Sequence, residues 1–532
     1  MNPLLLTDFY KVHHNKMYPE GMTKLYSNFT PRKSRLPGID HVVVFGIQHF
    51  ILEYLIKKFN KDFFFWGDPQ EPYDRQERAE WRKANVIEEY QRHIQVDTKH
   101  IEALWDLGYL PIHIKALPEG TICPIGIPVL TITNTHPDFG WLTNYLETLL
   151  SCCLWQSITS ATIAYEYKKL LTKYAIETTG SDEFVQWQGH DFSMRGMSSV
   201  ESAILSGMAH LVSFTGTDTI PAIYQLEESY DASGLIGASV PATEHSVMCM
   251  GQKEEEIETF GRLLELYPTG ILSVVSDTWD LWKVCTEFLP ILKENILKRG
   301  GKLVIRPDSG DPVDIICGTF EREEVTDSLI AKTPGLFSRT EERAKNSPQE
   351  KGVIELLWDT FGGKINEHGY KELDPHIGAI YGDSITLERA RAICERLKAK
   401  GFASTNIVFG VGSYTYQYNT RDTFGFAMKA TYGEITSPKP KFPGDDGVEV
   451  EEREIFKAPV TDSGEKKSAR GLLAVHKALN GPSLHLLQGC NAAAEQTGEL
   501  QTVFLDGKLT KRQTLDEIRE RLKINTFVEE KV

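Results

Sequence analysis

Leu303-Val304-Ile305-Arg306-Pro307-Asp308-Ser309-Gly310 is a short apolar run that stops in a polar, glycine-containing turn, and the same grammar recurs through the middle of the chain. Residues 271–275 end in Ser276-Asp277, residues 378–381 in Gly382-Asp383-Ser384, and residues 406–409 in Gly410-Val411-Gly412-Ser413. Between the runs lie stretches with helical periodicity at 141–156, 160–178, 198–213, 250–266, 279–299 and 387–400. Strand alternating with helix predicts a mainly parallel sheet under a cover of helices, either closed as a barrel or doubly wound. Polar residues at the carboxyl ends of several parallel strands meet on one face, which is where such folds carry their sites.

Outward from this core the texture changes. Residues 7–16 read as a short helix capped by Thr7 or Asp8, followed by a strand around 24–30. Residues 42–59 read as a strand running into an amphipathic helix, and 60–108 as charged, aromatic and helical. Period-2 alternation and turn residues over 111–134 predict a small β unit. Beyond 422, strands are expected at 424–434, 447–459, 470–478, 484–488 and 501–510, with a polar helix near 514–523. The expected domains are therefore 1–140 (α+β), 141–422 (α/β, interrupted by a charged insertion at about 316–350) and 423–532 (β-rich, packing with the N-terminal part). No internal repeat or low-complexity tract is evident.

A chain of 532 residues exceeds one compact core, so several domains or one enlarged barrel are required. Its 58 Lys and Arg against 74 Asp and Glu give a net charge of −16. That balance argues against nonspecific nucleic-acid binding, which needs clustered cations, but not against a local phosphate pocket. The eight cysteines form no C-x-x-C pair and sit mostly in apolar runs, as in Ser151-Cys152-Cys153-Leu154-Trp155. They read as reduced core residues of a cytoplasmic protein. No signal peptide and no apolar run of membrane-spanning length is apparent, so no membrane partner is expected.

The strand-end clusters supply the candidate chemistry. Gly410-Val411-Gly412-Ser413 offers backbone N–H groups to a phosphate, although a plain turn explains it as well. Arg306 beside Asp308 sets a fixed cation near a carboxylate, suited to pyrophosphate and to ribose hydroxyls or a hydrated metal; a surface ion pair is the alternative. Glu244-His245-Ser246 follows a short apolar run, and a neutral imidazole can act as nucleophile or base. His190-Asp191-Phe192-Ser193-Met194-Arg195-Gly196 joins an aromatic ring, a cation and a glycine. Asp218, in Gly216-Thr217-Asp218-Thr219, opens a helix and on local grounds is equally an N-cap.

Taken in order, these clusters resemble one family, the nicotinamide phosphoribosyltransferases. The likeness runs from Thr7-Asp8-Phe9-Tyr10-Lys11-Val12 through Trp141-Leu142-Thr143-Asn144-Tyr145 to Thr420-Arg421-Asp422 and Phe456-Lys457-Ala458-Pro459-Val460, nearly the whole chain. The resemblance implies the irregular α/β barrel of the type II phosphoribosyltransferases with a flanking β-rich domain, and a homodimer with shared active sites. Phe192 then stacks on nicotinamide with Tyr10 of a second subunit on the other face, and Asp218 accepts a hydrogen bond from the carboxamide. Nicotinate, an anion, is disfavoured by the same carboxylate. Ser273 joins the substrate-binding set. Arg195 and Arg306 hold the pyrophosphate of phosphoribosyl pyrophosphate, Asp308 and Asp383 the ribose, and Gly382 allows a close backbone approach. Gly412, Ser413 and Arg421 take the 5′-phosphate. His245 accepts phosphate from ATP, with Asp277 and Glu244 orienting it, and Lys429 and Lys457 are candidates for ATP phosphates. Mg2+ is the implied ion, carried largely by pyrophosphate and water.

Two departures stand out. Animal relatives have a run of glycines where this chain has Gly412-Ser413-Tyr414, and the 316–350 insertion is longer than theirs. Two other readings compete: a nicotinate phosphoribosyltransferase, from which Asp218 is the discriminator, and a non-catalytic signalling or scaffold protein on the same fold. Intact Arg195, His245, Asp277, Arg306 and Asp308 argue against the latter.

Overall fold

The computed structural model describes residues 1–64, 75–319, 347–438, 447–461, 468–478, 481 and 483–524. These divide into two compact units: Met1–Ile163 with Tyr224–Ser233 and Asn419–Lys523, and Ala164–Ile223 with Gly234–Tyr418. The first of these boundaries falls at Ile163, inside the helix Glu147–Thr179.

In the first unit, N- and C-terminal segments build one seven-stranded antiparallel sheet. Met22–Thr30 lies at its centre, paired with Ala427–Pro438 on one side and Leu130–Asn134 on the other. Its buried Leu25, Tyr26 and Phe29 anchor it, and Phe29 stacks on Phe426 at 5.1 Å. Two local expectations are corrected. Phe9–Lys16 is a 3-10 helix that Asp8 precedes, but neither Thr7 nor Asp8 caps it with its side chain. The Asp8 carboxylate instead accepts from Thr148 Oγ1 at 2.8 Å, and Thr7 Oγ1 donates to the Tyr145 carbonyl. The two helices expected at 141–156 and 160–178 are a short one, Gly140–Tyr145, and one long one, Glu147–Thr179. No Gly or Pro interrupts the long helix, and its hydroxyls bond back within it, Thr162 Oγ1 to the Ile158 carbonyl at 2.7 Å.

The second unit is organised by a six-stranded parallel sheet in the order Gly216–Thr217, Gly189–Asp191, Ile407–Val411, Ile377–Tyr381, Leu303–Arg306, Leu272–Val275. The outer strands are joined through residues 238–243. Ala238 bridges Gly216, Ala242 bridges Ser273, and Thr243 N–H donates to the Ser273 carbonyl at 3.0 Å. The sheet therefore closes on itself, as an irregular α/β barrel.

Period-2 geometry decides what fills it. Leu272, Val274, Leu303, Ile305, Ile377, Ile407 and Phe409 are fully buried. Their alternating neighbours Ser273, Val304, Arg306, Gly378, Ile380 and Val408 line an interior cavity of about 390 Å3. Small residues at several inner positions leave this barrel hollow where large branched side chains normally pack it solid. The expected insertion lies between the helices Pro312–Cys317 and Pro348–Phe361; residues 320–346 lie outside the described residues.

Candidate active site

Phe192 follows the strand Gly189–Asp191 and lines the cavity. Its ring occupies space that two glycines vacate. A Cβ on Gly410 would sit 2.4 Å from Phe192 Cδ2, and one on Gly382 would sit 3.1 Å from the ring. Gly382, expected to allow a close backbone approach, thus also admits an aromatic platform. The turn is fixed from beneath by Asp191, fully buried, whose carboxylate accepts from Ser193 N–H at 2.9 Å and from Thr219 Oγ1 at 2.7 Å. One side chain thereby ties the loop carrying Phe192 to the loop carrying Asp218.

Asp218 is not an N-cap. Its Oδ1 faces His190 Nε2 at 3.0 Å and accepts from Ser239 Oγ at 2.5 Å. Burial pushes its carboxyl up, but the hydrogen bonds from His190 and Ser239, with the charges of His190 and Arg306, outweigh this and hold it below the usual carboxylate range. Asp218 is therefore an anion at neutral pH beside a flat ring. Ser273 also lines this cavity, and its buried Oγ has no hydrogen-bond partner among the described residues. A buried hydroxyl left open is a ready donor or acceptor for a ligand.

Arg306 closes its strand with the guanidinium donating to the Thr243 carbonyl. Burial draws its pKa below the ordinary guanidinium value; Asp308 and Asp218 oppose this, while nearby Arg195 adds to it. Two cations within electrostatic reach of each other gain from an anion placed between them. Asp383 and Asp308 both lie within electrostatic reach of Tyr381, whose hydroxyl donates to the Gly310 carbonyl at 2.9 Å. Ser413 opens the short helix Ser413–Tyr416 and packs against Gly196, where a Cβ would collide with Ser413 Oγ. The phosphate-loop candidates Gly412 and Ser413 are thus set next to the Arg195 turn.

His245 begins the helix His245–Met250 and is half exposed. Its Nε2 lies 3.6 Å from Asp277 Oδ1, a buried oxygen with no hydrogen-bond partner among the described residues. The other oxygen, Oδ2, accepts from Asp308 N–H at 2.8 Å and from Ser309 Oγ. Asp277 is thereby fixed by one oxygen with the second aimed at the imidazole. Glu244 does not share that task in this structure: its carboxylate accepts from Ser246 Oγ.

Tyr10, Arg421, Lys429 and Lys457 belong to the other unit. Tyr10 is exposed and meets His14 edge-on. Burial lowers the pKa of Lys429; Glu147 opposes this, while Arg32, Lys457 and Arg421 reinforce it, so these cations form one cluster. Lys429, Arg32 and Arg470 line a cavity of about 760 Å3.

Sequence reading assigned no role to His190, Ser239 or Asp191. The His190-Asp191-Phe192 run was visible, but hydrogen bonds between loops far apart in sequence leave no local signal. Among the described residues no group of three His, Cys, Asp or Glu is placed to hold a metal ion. All eight cysteines are free, although Cys152 and Cys249 are exposed and not in the core as expected.

Fold and site together define a class: a hollow, irregular α/β barrel with an aromatic platform, a fixed carboxylate, paired arginines and a carboxylate-backed histidine at one rim. The profile of the Nicotinate phosphoribosyltransferase (NAPRTase) family matches residues 187–508, and that of the Nicotinamide phosphoribosyltransferase N-terminal domain matches residues 2–62. A nicotinamide phosphoribosyltransferase of Acinetobacter baylyi is 51% identical over 98% of this chain and 97% of its own. One of Mycoplasma pneumoniae is 37% identical over 80% and 88%, respectively. A nicotinate-nucleotide pyrophosphorylase structure from Pyrococcus furiosus shares the fold, with TM-score 0.55 at 16% identity over 98% of this chain and 95% of that one. The chain belongs to the nicotinamide phosphoribosyltransferase family, and is a pentosyltransferase.

Proposed function

We propose that the chain transfers the phosphoribosyl group of phosphoribosyl pyrophosphate to nicotinamide, giving nicotinamide mononucleotide and pyrophosphate in NAD salvage. The carrying observation is the Asp218 carboxylate, held ionised by His190 and Ser239 in the same cavity as Phe192. A carboxamide can donate to it; the carboxylate of nicotinate cannot, and is repelled. The ring stacks on Phe192, and Ser273 Oγ satisfies its open valence on the carboxamide.

In the transfer step, the bond from ribose C1 to pyrophosphate oxygen breaks as the pyridine nitrogen forms its bond to C1. That nitrogen carries no proton, so no protein base is needed. Arg195 and Arg306 take up the charge of the departing pyrophosphate, and Phe192 fixes the line of attack. Asp308 and Asp383 hold the ribose hydroxyls; Gly412, Ser413 and Arg421 take the 5′-phosphate. The described residues offer no protein-only metal site, so Mg2+ would enter with the pyrophosphate and its own waters, and no step is routed through it.

ATP coupling runs through His245. With Nε2 turned to Asp277 Oδ1, the other ring nitrogen is free to attack the γ-phosphorus and release ADP. Glu244 assists only if it leaves Ser246, and Lys429 and Lys457 serve the nucleotide phosphates. Exposed Tyr10 supplies the second face of the ring sandwich from a partner subunit in a homodimer. The setting is cytoplasmic, consistent with eight free cysteines.

The test is a substrate panel with purified protein, phosphoribosyl pyrophosphate and Mg2+, with and without ATP. Nicotinamide turnover exceeding that of nicotinate, stimulated by ATP, is expected. Preference for nicotinate would transfer the assignment to its relative, and no product with either base would favour a non-catalytic role.

A further inference from the structure

Two of the loops assigned to phosphoribosyl pyrophosphate leave neighbouring parallel strands. Ile377–Tyr381 runs into Gly382-Asp383-Ser384, and Ile407–Val411 runs into Gly412-Ser413-Tyr414. Neither loop is glycine throughout. The second carries Ser413 and an exposed Tyr414, and the first holds Ser384 at φ +50°. A residue with a side chain stays in the left-handed region only where its surroundings hold it there.

The restraint comes from the helix that follows, Leu387–Ala399. Arg389 reaches back from it, and its Nη1 donates to the Ser384 carbonyl. The same guanidinium lies over the Tyr414 ring, 5.9 Å from its centroid, and Tyr418 packs on Tyr414 with ring centroids 5.1 Å apart. A planar cation can meet a carbonyl with its edge and an aromatic ring with its face at once. In the interior the two loops are joined again. Thr415 Oγ1 donates to the Ile385 carbonyl at 2.7 Å, and the hydroxyl of buried Tyr167 stands 3.2 Å from Thr415 Oγ1 and 3.3 Å from that carbonyl. Tyr416 roots the short helix Ser413–Tyr416, its hydroxyl 2.7 Å from His210 Nδ1. The loops are thus fastened to each other twice, once inside and once at the surface.

We propose that Arg389 is a positioning residue for phosphoribosyl pyrophosphate, clasping the Asp383 turn to the Gly412–Ser413 loop so that both are in place before the substrate arrives. The inference rests on the assignment of Asp383 to the ribose and of Gly412 and Ser413 to the 5′-phosphate. One substrate spans both loops, so a shift of one against the other disturbs both contacts together. Ordering them in advance spares the substrate that cost on binding. The base is held by Phe192 and Asp218, so the effect separates by substrate.

Steady-state kinetics on the full chain test it. Arg389→Ala should raise KM for phosphoribosyl pyrophosphate by about tenfold, the loss of one charge-assisted hydrogen bond, with KM for nicotinamide within about threefold of the parent. Arg389→Lys keeps a cation for the carbonyl but no planar face, so it should raise the same KM by only about threefold; it carries the test alone if the alanine variant does not fold. Tyr414→Phe keeps the ring and should match the parent. Tyr414→Ala should add little to Arg389→Ala in the double variant, because both cut the same clasp. A KM for phosphoribosyl pyrophosphate within about twofold of the parent in Arg389→Ala would overturn the proposal. So would an equal rise in KM for both substrates, which is the mark of general damage to the barrel. No turnover by the parent protein would remove the substrate assignment itself, and the proposal with it.

Discussion

Replacing Asp218 by Asn isolates the charge on which base selectivity is argued to rest. The carboxylate is ionised at neutral pH and its side chain is about half exposed. A second carboxylate about 4 Å away meets roughly 4 kcal/mol of repulsion at an effective dielectric of about 20. Partial exposure screens this to about 2–3 kcal/mol. Removing the charge should therefore narrow the ratio of kcat/KM for nicotinamide over nicotinate by about 30- to 150-fold. Asn keeps an oxygen able to accept from Ser239, so nicotinamide itself should lose only a few-fold. Steady-state rates for both bases at saturating phosphoribosyl pyrophosphate supply the ratio. A ratio unchanged within threefold would refute the electrostatic account.

Other consequences are equally open to measurement. His245→Ala should abolish stimulation by ATP while basal transfer persists; retained coupling would remove the phosphoacceptor role. Gly410→Ala should displace the Phe192 ring, whose Cδ2 would lie 2.4 Å from the new Cβ, and raise KM for nicotinamide about tenfold or more. An unchanged KM would dissociate Phe192 from the base. Burial lowers the pKa of His49, His100 and His210 to about 4 from an ordinary 6.5. Such groups are neutral when folded and protonate first when unfolded. Their stabilisation is whole above about pH 6.5 and is lost as pH falls toward about 4. Thermal melts should show a plateau above pH 6.5 and a decline below it, less steep in His210→Gln.

Much of this was legible in the sequence because apolar runs ending in polar turns report strand and rim at once. Arg306, Asp308, Asp277 and Gly382 each stand at the end of a strand or within two residues of it, as their clusters indicated. What escaped is long-range or negative in character. The closing segment 238–243 makes only isolated bridges and contains Pro241, so it carries no strand signature. The His190–Asp218–Ser239 contact joins three loops whose spacing in sequence says nothing of their meeting. The hollow barrel depends on what Gly378 and Ser273 do not fill, and an absent side chain announces itself only once its neighbours are placed. Periodicity separates 141–156 from 160–178, but the hydroxyls of Ser157 and Thr162 bond back to the preceding turn and the helix passes through.

The most direct trial is a crystal structure with nicotinamide bound. The ring should lie against Phe192 inside the barrel, its carboxamide nitrogen within about 3 Å of an Asp218 oxygen. A ring seated outside the barrel, or one turned so that Asp218 meets no donor, would contradict the account.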